Sequence, residues 1–208
     1  MESTKKIKVL CFGDSNTWGR IPGGDRYDQH TRWTGVVQDR LGEGYEVLEE
    51  GLSARTTNID EEKFFKNGYN YFVPYIVSHA DIDMVVLMLG TSDCKERYGR
   101  TPQEIASGVE EYMSISKELM PEIRFILVAP APIHEDSLRE NRKDMFRGGE
   151  SISQELRTEL AKIATKYELP FVDAAAHVAV SREDGLHLDE DAHHLLGETI
   201  SSVIQAMV

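Results

Sequence analysis

The chain has 208 residues, 40% of them hydrophobic and 28% charged, with a formal net charge of -13 at pH 7. That length supports one sizeable core, so residues 1–208 are read as a single domain. The acidic balance argues against nucleic acid or an anionic membrane surface as partner, and two cysteines, Cys11 and Cys94, without a CxxC pair argue against a disulfide framework or a zinc motif.

Met1-Glu2-Ser3-Thr4-Lys5-Lys6 is too polar and short for a signal h-region, and no apolar run reaches membrane-spanning length, so a cytoplasmic protein is expected. Ile7 to Phe12 reads as a buried strand, with Cys11 as a small hydrophobe inside it. It breaks at Gly13-Asp14-Ser15-Asn16-Thr17, which places Ser15 on the loop leaving the strand. A surface loop over Ile21–Thr31 follows. Trp33, Val36, Val37 and Leu41 recur at helical spacing, and Gly42 and Gly44 end that helix. Trp33 itself is read as core.

Tyr45 to Glu50 is a second strand that stops at Gly51, and Leu52–Asn58 is a long loop. A helix is predicted over Tyr71–Ala80. Asp83–Leu89 is a near-continuous apolar run, as in strands covered on both faces; it stops at Gly90-Thr91-Ser92-Asp93. Thr101-Pro102-Gln103-Glu104 has the form of a capping box and opens a helix that Pro121 stops. Phe125–Ala129 is a fourth strand, followed by a loop from Pro130 to about Gly149. Ile152, Leu156, Leu160, Ala164 and Tyr167 mark another helix. Pro170–Asp173 is a short last strand, and Leu196, Ile200, Val203 and Met207 line the final helix. Alternating strands and helices predict a parallel sheet with helices on both faces, which brings the strand ends at Ser15, Gly51 and Ser92 to one edge.

A serine at such an edge is a candidate nucleophile, although serine also caps helices. Its hydroxyl needs a base, and the base an orienting group. Asp184-Gly185-Leu186-His187 offers both on one turn; taken alone the motif is a weak signal, and a solvated loop before the last helix is the plainer reading. Backbone N–H groups at Ser15 and Gly51, and a side chain from the Gly90–Asp93 loop, are candidate oxyanion donors. His193 and His194 are read as helix-surface residues, Asp189 and Asp191 as first-turn acids, and nothing there has the pattern of a metal site. Asn16, Trp18, Ser53 and Phe146 are candidate substrate contacts; Tyr69, Tyr71 and Met145 are further candidates for a pocket wall. A dinucleotide fingerprint and the G-x-S-x-G elbow are both missing.

Taken together, Gly13-Asp14-Ser15, Gly51, Gly90-Thr91-Ser92-Asp93 and Asp184-Gly185-Leu186-His187 resemble, in order and spacing, the blocks of the GDSL, or SGNH, hydrolases. Arg32-Trp33-Thr34-Gly35 and the stretch Glu49–Asp60 resemble the bacterial arylesterase and perhydrolase branch. The resemblance implies a flavodoxin-like three-layer α/β/α fold around a parallel sheet of about five strands, and no metal or organic cofactor. It implies Ser15 as nucleophile, His187 as base, Asp184 as its partner, and Ser15 and Gly51 as oxyanion donors. It also implies a homo-oligomer acting on short acyl or aryl esters. The chain departs from the family at Ser92, where asparagine is expected; a hydroxyl donates one hydrogen bond and reaches less far. Asn16 and Asn58 are candidates to compensate. The reading is a serine esterase for a small-molecule ester, with a carbohydrate O-deacetylase or an impaired ester-binding protein as alternatives.

Overall fold

The computed structural model describes residues 5–60 and 65–208. The start of the polar lead-in, Met1–Thr4, lies outside the described residues. Five parallel strands form one sheet in the order β2-β1-β3-β4-β5: β1 Ile7–Gly13, β2 Tyr45–Gly51, β3 Met84–Met88, β4 Arg124–Ala129 and β5 Phe171–Asp173. The chain starts in β1, runs outward to β2, then crosses back to β3 on the other side. That reversal is the switch point at which open α/β sheets leave a crevice beyond the strand ends.

Strand alternation divides the core. Leu10, Phe12, Val85 and Leu87 face one side, where α3 (Gly68–Ser78), α4 (Pro102–Leu119) and α6 (Gly149–Lys166) cover them. Val9, Cys11, Met84, Val86 and Met88 face the other, under α2 (Trp33–Leu41) and α7 (Glu190–Gln205). Every residue of β3 is therefore buried, which is why its sequence is apolar throughout. Trp33 lies fully inside the second layer. The result is the expected three-layer arrangement. No helix among the described residues is long and apolar enough to cross a membrane.

Local signals set most boundaries. The Thr101 hydroxyl accepts the Glu104 N–H at 3.2 Å while the Glu104 carboxylate accepts the Thr101 N–H at 2.8 Å, closing the capping box of α4. Asp189 is the cap of α7, accepting the Ala192 N–H at 3.0 Å, rather than a first-turn residue. Helix α3 starts three residues earlier than expected, because the Asn67 side chain caps it. The loop predicted from Pro130 to Gly149 contains a one-turn helix, α5 (Glu140–Lys143).

His193 corrects the surface reading. It is fully buried, three residues before Leu196 on the inward stripe of α7. Its Nδ1 accepts the Trp33 backbone N–H at 3.3 Å, which places the ring proton on Nε2, and the Tyr27 ring meets it edge-on at 5.3 Å. His194, next to it, is exposed.

Burial, reinforced by the positive potential of His187, His194 and Arg32, pushes the His193 imidazole down to about 3. The unfolded chain takes up this proton near pH 6.5, and the folded chain refuses it. The favourable contribution is therefore complete above pH 6.5 and is lost as pH falls toward 3. Between pH 7 and pH 4.5, this one group should cost about 2 kcal/mol of stability. His193→Asn keeps an acceptor at the δ position for Trp33 but cannot titrate. Chemical denaturation at both pH values should show a smaller pH-dependent loss in the variant; an unchanged loss would exclude His193 as its source.

Candidate active site

β1 ends at Gly13, and the chain turns at once into a one-turn helix, α1 (Ser15–Trp18). Asp14 caps it, accepting the Asn16 N–H at 3.0 Å. Ser15 is thus the first helical residue, not a loop residue, and helix geometry fixes its Cβ direction. Gly51, at the end of β2, lies directly against α1. A Cβ at that position would overlap the Trp18 backbone nitrogen, so only glycine allows the close approach.

The other half of the site comes from the far end of the chain. The turn Asp184–His187 needs Gly185, which holds a φ of 69° against the His134 carbonyl. Asp184 Oδ1 accepts the backbone N–H of Leu186 at 3.1 Å and of His187 at 3.0 Å. Its Oδ2 faces His187 Nδ1 at 2.6 Å and accepts the Gly23 N–H at 3.1 Å. His187 Nε2 lies 3.1 Å from Ser15 Oγ. All three side chains are buried. Burial works to raise the Asp184 carboxyl, but the His187 hydrogen bond and charge, with the two N–H groups of the turn, outweigh it and hold it at about 2. Asp184 is therefore ionised at neutral pH. With its Nδ1–H committed to that carboxylate, the imidazole presents Nε2 as an acceptor to the serine hydroxyl.

Asn16 joins the two halves. Its Nδ2 donates to the Leu186 carbonyl at 3.1 Å and its Oδ1 accepts the Leu188 N–H at 3.0 Å. This is a correction to Asn16 as a substrate contact: both ends of its amide are engaged inside the fold. Asn58, the other candidate to replace the missing asparagine, donates to Glu111 and accepts from Arg100, and it does not line the cleft. Trp18 is half-buried under the Arg26 guanidinium, outside the cleft wall. Ser53 and Phe146 do line the cleft, and the Ser53 hydroxyl is buried there without a partner among the described residues. Tyr69, Tyr71 and Met145 are not on the wall.

Ser92 follows β3 on a 3-10 turn, Thr91–Cys94. It lines the cleft beside Ser15 and His187. Its neighbour Asp93 turns inward, accepting the Thr57 N–H and hydroxyl and pairing with Arg100 at 3.0 Å. That knot fastens the loop after β2 to the loop after β3. The cleft is small, about 60 Å³, well under the roughly 300 Å³ at which ligand cavities usually begin. The larger hollows lie elsewhere, including one of about 670 Å³ between Met113 and Leu169 that holds none of these groups. Among the described residues, no group of three His, Cys, Asp or Glu side chains could hold a metal ion.

Sequence reasoning missed three residues on the cleft wall: Arg20, Lys95 and Arg142. Nothing in their spacing marks them. It also missed Arg55, whose guanidinium is buried against the Phe12 ring at 4.0 Å and donates to the carbonyls of Gly13 and Glu50.

The two Asn16 bonds lead to a stability prediction. Asn16→Ala leaves a buried carbonyl and a buried N–H unpaired, at a cost of about 1–3 kcal/mol. For a chain of this size that lowers Tm by roughly 2–12 °C. Calorimetry checks it, and an unchanged Tm would mean the two loops are held together by other contacts.

The model of the GDSL-like lipase/acylhydrolase family matches residues 11–195. Est24, a carbohydrate acetylesterase from Sinorhizobium meliloti, is 35% identical, with 98% of this chain and 100% of that one covered and a TM-score of 0.92. The aryl esterase of M. smegmatis is 33% identical over 97% of this chain and 100% of that one, with a TM-score of 0.89. A lipase/acylhydrolase from Enterococcus faecalis shares the fold at 19% identity, covering 97% of this chain and 96% of that one, with a TM-score of 0.72. A search of curated proteins found no match. The chain belongs to the GDSL-like lipase/acylhydrolase family.

Proposed function

We propose that this protein is a serine esterase that cleaves small carboxylic esters through an acyl-enzyme on Ser15. The observation that carries the reading is the hydrogen-bonded line from Ser15 Oγ through His187 to Asp184 at the switch point of the sheet. Ser15 Oγ attacks the ester carbonyl carbon as His187 Nε2 takes its proton. The imidazolium that forms is stabilised by the Asp184 carboxylate across the 2.6 Å contact. Negative charge collects on the former carbonyl oxygen, where the N–H groups of Ser15 and Gly51 and the Ser92 hydroxyl serve as donors. The carbon–alcohol bond then breaks, and His187 returns the proton to the departing alcoholate. Water repeats the sequence on the acyl-enzyme, releasing the acid and freeing Ser15.

The cleft volume favours a short acyl group. A second reading, carbohydrate O-deacetylase, is favoured by the same small cleft together with the likeness to a carbohydrate acetylesterase. The chemistry is unchanged; only the alcohol differs. Turnover of aryl esters of graded acyl length against acetylated sugars separates the two.

Ser15→Ala should lower kcat by several orders of magnitude, with Tm moved little, because one hydroxyl is removed without disturbing the backbone. Retention of near-native turnover by a folded variant would remove Ser15 from the mechanism.

Ser92→Asn should raise kcat by roughly tenfold on an activated acetate ester. A side-chain oxyanion donor contributes ~10²–10³, and the serine hydroxyl retains part of that. The gain belongs in kcat more than in KM, since the charge develops only in the transition state. A fall in kcat would instead show that the wall is built around the smaller residue, with Ser53 the next donor to test.

A further inference from the structure

Acidic residues outnumber basic ones by 36 to 23 in this chain, yet the cleft at Ser15 is lined by three cations and no carboxylate. Arg20 follows α1, Lys95 follows the turn after β3, and Arg142 comes from α5. Three separate segments thus deliver positive charge to one opening. Lys95 is buried, its Nζ 5.5 Å from the Tyr98 ring centre.

The two arginines differ from others in the molecule. Arg32, Arg40, Arg100, Arg139, Arg147 and Arg157 each pair with a carboxylate. Among the described residues, Arg20 makes no side-chain hydrogen bond or ion pair, and Arg142 makes only a weak contact from Nη1 to Met145 Sδ at 3.7 Å. Both are half-buried. Like charges gathered at a partly desolvated opening repel one another, and an anion between them relieves that cost. A guanidinium presents a planar fork of donors that matches the oxygens of a carboxylate or phosphate.

We propose that the substrate carries an anionic oxyacid group, a carboxylate or a phosphate, close to its scissile ester. Arg20 and Arg142 receive that group at the mouth of the cleft while the short acyl end meets Ser15. The proposal rests on the esterase reading and adds the class of ester. It also accounts for how a negatively charged substrate approaches a protein of net charge -13: the local positive opening outweighs the screened charge of the remote surface.

The test uses three acetate esters of one shape: 4-acetoxybenzoate, 4-acetoxyphenyl phosphate and the neutral 4-acetoxybenzamide. kcat/KM is measured for each on the native chain and on Arg20→Gln, Arg142→Gln and the double variant. Comparing variants divides out differences in leaving-group reactivity. The ratio of anionic to neutral ester should fall tenfold or more in the double variant, the size expected for one charge-assisted hydrogen bond. The anion with the larger fall identifies carboxylate or phosphate. If the double variant does not fold, each single variant carries the same comparison. Ratios equal to the native chain's for both anions would overturn the proposal while leaving the esterase reading intact. If no probe is turned over, calorimetric binding of the three compounds to the native chain and variants decides. Anion-selective binding that the arginine changes abolish would keep the anion site and reject the esterase; equal binding of all three would reject the anion site as well.

Discussion

The Asn16 amide joins the two halves of the candidate site. Its two hydrogen bonds join the helix after the first strand to a turn 170 residues further along the chain. In the proposed mechanism neither half has chemistry alone. Ser15 without His187 is an ordinary alcohol, and His187 without Ser15 is an oriented imidazole with no hydroxyl to deprotonate. A 3.1 Å contact between them requires that two elements from opposite ends of the sequence hold position to a fraction of an ångström. A carboxamide that both donates and accepts suits this role, because it bonds the backbone of the turn in two places and is insensitive to which side chains follow.

Buried charge braces the frame around that joint. Arg32 grips Glu49 through Nε and Nη2, both at 2.8 Å, and the Thr34 hydroxyl adds a third bond, tying the start of α2 to the end of β2. Arg55 holds the ends of β1 and β2 through their carbonyls, and Asp93 with Arg100 and Thr57 holds the loops after β2 and β3. Buried pairs of this kind add little net stability, since desolvation offsets most of the attraction. Their consequence is directional: each has few acceptable geometries, so strand ends that carry Gly51 and Ser92 are set relative to Ser15. The cleft wall uses charge differently, with Arg20 and Arg142 left outside such pairs.

The sequence by itself determined the layered architecture. A both-faces-buried strand must be apolar throughout, as Met84–Met88 is, and alternation with amphipathic helices leaves a parallel sheet as the arrangement that buries every stripe. It also determined that Ser15, Gly51 and Ser92 stand at one sheet edge, because parallel strands all end on the same side. The spacing of Asp184 and His187 made them a candidate pair, but alone it was weak, and only the resemblance to the GDSL hydrolases singled it out. His193 was misread as a surface residue from its type, although its place on the α7 stripe with Leu196 and Ile200 carried the signal of burial.

Only the tertiary structure decided what each polar side chain faces. Asn16, Asn58 and Trp18 are near the motifs in sequence, but their partners lie in the interior or on the outer surface. Arg20, Lys95 and Arg142 belong to short segments without periodicity, two loops and the one-turn helix α5, that line the same opening. Local sequence fixes which face of a strand or helix is apolar, since that follows from a short repeating period. The direction of a loop side chain follows from long-range closure, which involves residues more than a hundred positions away and leaves no local pattern.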